Sequence, residues 1–256
     1  MSKEQAMTEK KNNALATTTF EADAGKGVGD LSQEDLALPF LKVLGQLSPE
    51  VNKREGKYVE GAEPGMIINT VTSELYDGEK GITVIPCHYK LEYIEWNDRG
   101  TGPTAPVAIH PSSSDILSQT TRGADFKDRL PSGTYIEKTA NHFVIICEGS
   151  TPSTALIAMK STQLKISRKW NTMINQILLK GKNGMFKPPA FSHIYKLRTV
   201  QQSNDKGTWF GWEISKVGPI QDEQLYSQAK AFNQSVSKGD VQVKHGDAPE
   251  QAKSII

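Results

Sequence analysis

Apolar positions recur with a period of two along most of the chain and change to a helical period in two places. The alternation predicts strands at residues 65–72, 82–86, 89–96, 135–138, 141–148, 154–159, 190–200 and 208–215. In the third of these, Tyr89, Leu91 and Tyr93 fall on one face, and Lys90, Glu92 and Ile94 on the other. In 190–200, Phe191, His193, Tyr195 and Leu197 share a face, with Ile194, Lys196 and Arg198 opposite. Residues 76–81, 148–152 and 201–207 are turn-forming, and the second of them makes 141–148 and 154–159 a hairpin. Pro39 rules out a helix through the apolar segment 36–44, which is expected to be extended or mixed and docked on the core. Residues 97–132 are irregular and dense in Gly, Pro, Ser and Thr; a loop of that length is functional or disordered.

The helical period first appears over 161–180, ending at Gly181. Trp170, Met173, Ile174 and Ile177 make its apolar side, and Lys165, Arg168, Lys169, Thr172 and Gln176 its outer side. It returns after Asp222, where Leu225, Ala229, Phe232 and Val236 are helically spaced. Residues 181–189 between helix and strand read as a basic loop. The expected fold is therefore α+β: an antiparallel sheet core, one amphipathic basic helix, a C-terminal helix and flexible termini. A flexible arm is expected over 1–30, a single α+β domain over 31–236 and a flexible tail over 237–256.

Charge changes this picture. The chain carries 30 basic and 29 acidic side chains, yet the 56 residues between Glu148 and Asp205 hold nine Lys or Arg and no acid. The basic residues are Lys160, Lys165, Arg168, Lys169, Lys180, Lys182, Lys187, Lys196 and Arg198, so the remainder holds 21 basic against 29 acidic. Ordinary surface helices mix signs and gain pairs at i,i+4. Trp170, Phe186, Phe191 and Tyr195 are interleaved with the cations. Cations with flat rings suit a ligand that has both phosphates and unpaired bases. The expected nucleic-acid contacts are Lys160, Lys165, Arg168, Lys169, Lys180, Lys182, Phe186, Lys187, Tyr195, Lys196 and Arg198. Trp170, on the apolar side of its helix, is expected in the core.

No phosphate-cradling GxxxxGK loop, dinucleotide fingerprint, HExxH or CxxC occurs, and the five histidines lack metal-ligand spacing. Neither an enzyme nor a cofactor is expected. A metal-dependent nuclease needs clustered carboxylates, which the basic stretch lacks; distant ones such as Glu92, Glu95 and Asp98 could converge in the fold, but the first two point to opposite faces of one strand. Cys87 and Cys147 read as buried free thiols in a reducing compartment. No apolar run suits a secretory leader or a bilayer span.

The LSPE turn at residues 47–50, the run EPGMIINTVT and the strand end IPCHYK resemble a group of tailed-phage proteins. These are the Drc-like single-stranded-DNA-binding cofactors of RNA polymerase, and the similarity extends from Leu36 to Val217. The resemblance implies a mixed α+β fold unlike an OB barrel, coating of exposed DNA strands, and contact with phage RNA polymerase or replication proteins. It carries over no individual site residues. The tail GDVQVKHGDAPEQAKSII departs from the acidic recruiting tails of many single-strand binders. The function expected is largely sequence-independent binding of single-stranded DNA in phage replication or transcription, in the cytoplasm of an infected host, with self-association left open. The alternatives are an interaction module docking an acidic partner, and a metal-dependent nuclease or DNA end-processing factor.

Overall fold

Strand-forming segments dominate the computed structural model, which describes residues 20–29, 36–149, 151–205, 207–241 and 243. Contacts divide the chain into residues 1–36 and 37–256. In the first unit the described residues 20–29 are exposed and made of turns after one short helical stretch at 20–22. Most of the expected arm, 1–19 and 30, and most of the expected tail, 242 and 244–256, lie outside the described residues.

The second unit opens with three short strands: β1 (Leu41–Val43), β2 (Ile67–Asn69) and β3 (Leu75–Tyr76), which form a small antiparallel sheet in that order. The main sheet contains β4 (Ile82–Trp96), β5 (Ala108–Pro111), β6 (Thr121–Arg122), β7 (Asp128–Arg129), β8 (Tyr135–Ile146) and β9 (Ser153–Lys160). Helix α1 (Leu164–Asn175) follows, then the two-stranded ribbon β10 (Leu179–Gly181) and β11 (Gly184–Phe186). The chain returns to the main sheet with β12 (His193–Asn204) and β13 (Gly207–Pro219) and ends the described core with α2 (Glu223–Lys238). The antiparallel sheet core with a basic helix and a C-terminal helix is the architecture expected.

β4 and β8 pair along almost their whole length. Each has split partners on its outer edge: β12 and β5 on β4, β9 and β7 on β8. The segment 36–44 docks as expected from Leu38 to Leu44, while Leu36 is exposed. Its Phe40 bridges Leu156 of β9, Leu156 N–H donates to Pro39 O at 2.8 Å, and Phe40, Leu41 and Leu44 are buried.

Two expected strands, 82–86 and 89–96, are one strand with a β-bulge. Pro86 opposes Val144 and His88 opposes Phe143, so Cys87 is the extra residue. A proline inside a central strand is tolerated only at such a position, because it cannot donate to the ladder. The bulge exchanges the faces. Ile82 and Val84 pack on the side later occupied by Leu91, while Ile85 and Cys87 pack on the other.

Both sides of the sheet are covered. On one side α1 lays Trp170 against Val144, Ile157, Tyr195 and Leu197, helped by Leu164, Ile166, Met173 and Ile174. On the other, α2 lays Ala229 and Phe232 against Ile85, Phe143, Ile145 and Leu156. Asp222 caps α2 by accepting from Leu225 N–H at 3.0 Å, and Gly239 closes it at φ 86°, a conformation that glycine adopts without strain. Leu225, Ala229, Phe232 and Val236 all face inward as their spacing predicts.

The 97–132 region contains strands β5, β6 and β7 and an ion-pair network in which Asp98 binds both Lys127 and Arg129. The side-chain hydrogen bonds from Arg129 and Lys127 hold the Asp98 carboxyl down at about 2. No helix among the described residues is long and apolar enough to cross a membrane.

Candidate functional site

The helix that carries the basic face is shorter than its hydrophobic period predicts. It stops at Asn175, five residues before Lys180, and the chain re-forms as a strand. The cause is a hairpin. Leu179, Lys180 and Gly181 pair with Phe186, Met185 and Gly184 across Lys182 and Asn183, and Gly184 takes φ 112°. A two-residue connection with a positive φ beside it is a hairpin turn, and the run Gly-Lys-Asn-Gly is its trace in the sequence. Among the described residues the ribbon pairs with no third strand.

The ribbon is tied to the helix where Lys187 Nζ donates to Asn175 Oδ1 at 2.9 Å. Its two faces follow from the register. Leu179 and Phe186 are a cross-strand pair on one, with the Phe186 ring lying over Gly181, and Lys180 and Met185 are a pair on the other. Leu178, Leu179, Met185 and Phe186 are all exposed, Met185 by 63%. Isolated two-stranded ribbons are marginal in water, so one that displays apolar side chains on both faces has an unmet need for a partner.

The eleven expected contact residues separate into two groups. Lys165, Arg168 and Lys169 on α1 and Lys180 and Lys182 on the ribbon are exposed, and none pairs with a carboxylate among the described residues. Phe186 and Lys187 belong with them. Lys160, Lys196 and Arg198 do not. Tyr195 and Leu197 pack under Trp170, so the period of two sends Lys196 and Arg198 to the side of the sheet that α2 covers. Lys160 follows Met159 of the α1 side and is likewise directed away from it.

Each cation of the second group meets an acid from a distant segment. Lys160 Nζ is 2.6 Å from Glu137 and lies over the Trp96 ring, and it is only 8% exposed. Lys196 is 3.7 Å from Glu148, and Arg198 is 4.0 Å from Glu213, its cross-strand partner. The eleven expected contacts thus do not share one side of the sheet: the run without acids in sequence meets acids in space on the side away from α1.

Tyr195 also leaves the set. Its side chain is fully buried, edge-on to Trp170 at 5.8 Å between ring centroids, and cannot stack on a base. Burial raises its hydroxyl to about 12. Trp170 is in the core, as its place on the helix predicts.

An aromatic that lies outside the basic stretch joins the exposed group. Tyr89, 42% exposed, stands on the α1 side of the sheet with its ring 5.0 Å from His142. His142 is stacked on Trp170 at 4.5 Å and shares a 2.8 Å hydrogen bond with Ser167 Oγ of α1. Burial drives the imidazole down to about 3, so it is neutral. The alternation of Tyr89, Leu91 and Tyr93 is visible in the sequence, but nothing local says which side of the sheet it faces.

The carboxylates available to a nuclease are otherwise engaged. Glu92 accepts from Asn141 Nδ2 at 2.7 Å and pairs with Lys90, Glu95 accepts from Thr134 and contacts His110, and Asp98 holds Lys127 and Arg129. Both thiols are free: Cys87 is buried and Cys147 partly so, and burial raises them to about 12 and about 11.

A model of the family described as Pam3 phage gp34-like protein matches residues 8–242. Neither a curated protein nor a solved structure matches the chain.

Proposed function

The chain belongs to the Pam3 phage gp34-like family and is a bacteriophage protein, and on that premise we propose that it is a non-enzymatic, largely sequence-independent binder of single-stranded DNA. The observation that carries this reading is the set of five exposed cations, Lys165, Arg168, Lys169, Lys180 and Lys182, without carboxylate partners among the described residues. A helix face and a ribbon tied together by Lys187 and Asn175 give phosphates several anchor points, and Phe186 offers a ring beside them. Phosphate contacts of this kind position a strand and carry no sequence information. The Drc-like resemblance of residues 36–217 points the same way, toward coating of exposed strands during phage replication or transcription in the infected cell, with RNA polymerase or replication proteins as partners.

Fluorescence anisotropy of labelled oligonucleotides across a salt series tests the proposal. Five phosphate contacts give a slope of log K against log salt near about −3.5 for single strands. Absence of binding at low salt overturns it. A second reading is favoured by the exposed Leu178, Leu179, Met185 and Phe186 of the ribbon: cations around apolar side chains also suit an acidic protein surface. In that case the protein ignores DNA and is retained by an acidic partner such as a polymerase.

A further inference from the structure

The side of the sheet next to α1 presents more than its helix. Cross-strand pairs Tyr89–His142, Leu91–Ala140 and Tyr93–Lys138 succeed one another along β4 and β8, and Tyr89, Leu91 and Tyr93 share the face on which α1 packs. Helix α1 bounds this floor at the Tyr89 end, where His142 touches both the Tyr89 ring and Ser167. At the Tyr93 end it is bounded by Ile116, which packs with Tyr93 and Ile136. Four residues of strand separate the two tyrosines, about 13 Å.

The chemistry of the floor is uniform. Lys90 and Glu92 point to the opposite face, and the next carboxylate on this one, Glu95, is taken up by Thr134 and His110. Lys138 is exposed at the far end with its Nζ 5.8 Å over the Tyr93 ring. A cation thus stands at one end and the basic helix at the other; between the exposed Tyr89 and Lys138, Leu91 is partly open, and Ala140, His142 and Tyr93 are buried beneath.

Tyr89 differs from an ordinary half-exposed tyrosine in what backs it. His142, Trp170 and Tyr195 continue the ring contacts inward, with centroid spacings of 5.0, 4.5 and 5.8 Å, to side chains that are wholly buried. Its orientation is therefore set by the core while one side stays open to solvent. A ring held in this way loses little freedom when a flat ligand covers it.

We infer that Tyr89 and Lys138 continue the path of unpaired nucleotides onto this side of the sheet, as a track in which Tyr89 stacks on a base and Lys138 holds a phosphate beyond it. The inference rests on the proposed single-strand binding and extends it from the helix and ribbon onto the sheet. Duplex DNA does not fit, because its base faces are covered by their neighbours.

Affinities of wild type, Tyr89→Ala, Tyr89→Phe and Lys138→Gln for a dT oligonucleotide and for an abasic oligonucleotide of equal length test it. Tyr89→Ala is expected to weaken dT binding roughly 5- to 150-fold and abasic binding little, with Tyr89→Phe close to wild type. Lys138→Gln is expected to weaken both and to make the salt slope shallower by about 0.7. Photocrosslinking to a bromodeoxyuridine oligonucleotide is expected to label Tyr89. If wild type binds dT and Tyr89→Ala binds it equally, or loses both oligonucleotides equally, the track is wrong while single-strand binding stands. If wild type binds neither at low salt, the underlying reading fails with it.

Discussion

Lys187 Nζ reaches across 12 residues of chain to Asn175 Oδ1 at 2.9 Å, and this bond ties the base of the ribbon to the last turn of α1. An exposed bond of this type contributes modestly to global stability. Asn175→Ala is therefore expected to cost under about 1 kcal/mol in denaturant unfolding. Its effect should be local. Hydrogen exchange at Leu179, Lys180, Met185 and Phe186 should accelerate while β4 and β8 keep their protection.

The division of the cations by the sheet makes a second prediction. Replacing Lys165, Arg168 and Lys169 together by Ala should weaken binding to all single-stranded sequences alike and make the salt slope shallower by about 2. Lys196→Ala with Arg198→Ala should change neither quantity, because both cations face away from α1 and sit near Glu148 and Glu213. Anisotropy at several salt concentrations reads both variants.

Core and surface roles of the aromatics separate cleanly by stability. Trp170→Ala removes a fully buried indole and is expected to cost about 3–5 kcal/mol. Tyr195→Phe removes a buried hydroxyl with no hydrogen-bond partner among the described residues, so unfolding free energy should change by less than about 0.5 kcal/mol or rise. Phe186→Ala, at a side chain 47% exposed, should leave stability nearly unchanged. Urea unfolding followed by tryptophan fluorescence measures each.

Burial of His142 gives the protein an acid sensitivity. Its folded pKa, about 3, lies below the unfolded value of about 6.5, so the unfolded chain binds the extra proton across that window. Stability should fall as pH drops through it, by up to about 1.4 kcal/mol per pH unit from this group. His88 and His193, which burial also lowers, act in the same direction. Denaturant midpoints at several pH values should show the decline, and His142→Gln should reduce its slope.

Much of the sheet is legible in the sequence because a half-buried strand must alternate. The hairpin of β8 and β9, the inward face of β12 from Tyr195 onward and the apolar spacing of α2 follow from that rule and from helical periodicity, whereas Phe191, expected on the same face as Tyr195, sits in a turn and packs on the α2 side. What cannot be read locally is pairing between distant segments. Glu137, Glu148 and Glu213 lie outside the acid-free stretch or at its border, yet each comes within 4.0 Å of one of its cations. The ribbon β10–β11 escapes pattern reading for a different reason: with both faces exposed, no burial imposes an alternation on it. The partition of the candidate site follows from a single contact, Trp170 on Tyr195, which decides which side of β12 is inside.

The bulge at Cys87 carries a consequence for every residue beyond it in β4. A strand has only two sides, and one inserted residue transposes them. If the strand kept Cys87 and alternated through it without the bulge, Tyr89, Leu91 and Tyr93 would turn toward α2, and Lys90, Glu92 and Ile94 would come beneath α1. By letting Cys87 bulge out of the ladder, with its thiol buried in the core under α2, β4 absorbs one residue and keeps its far half facing α1.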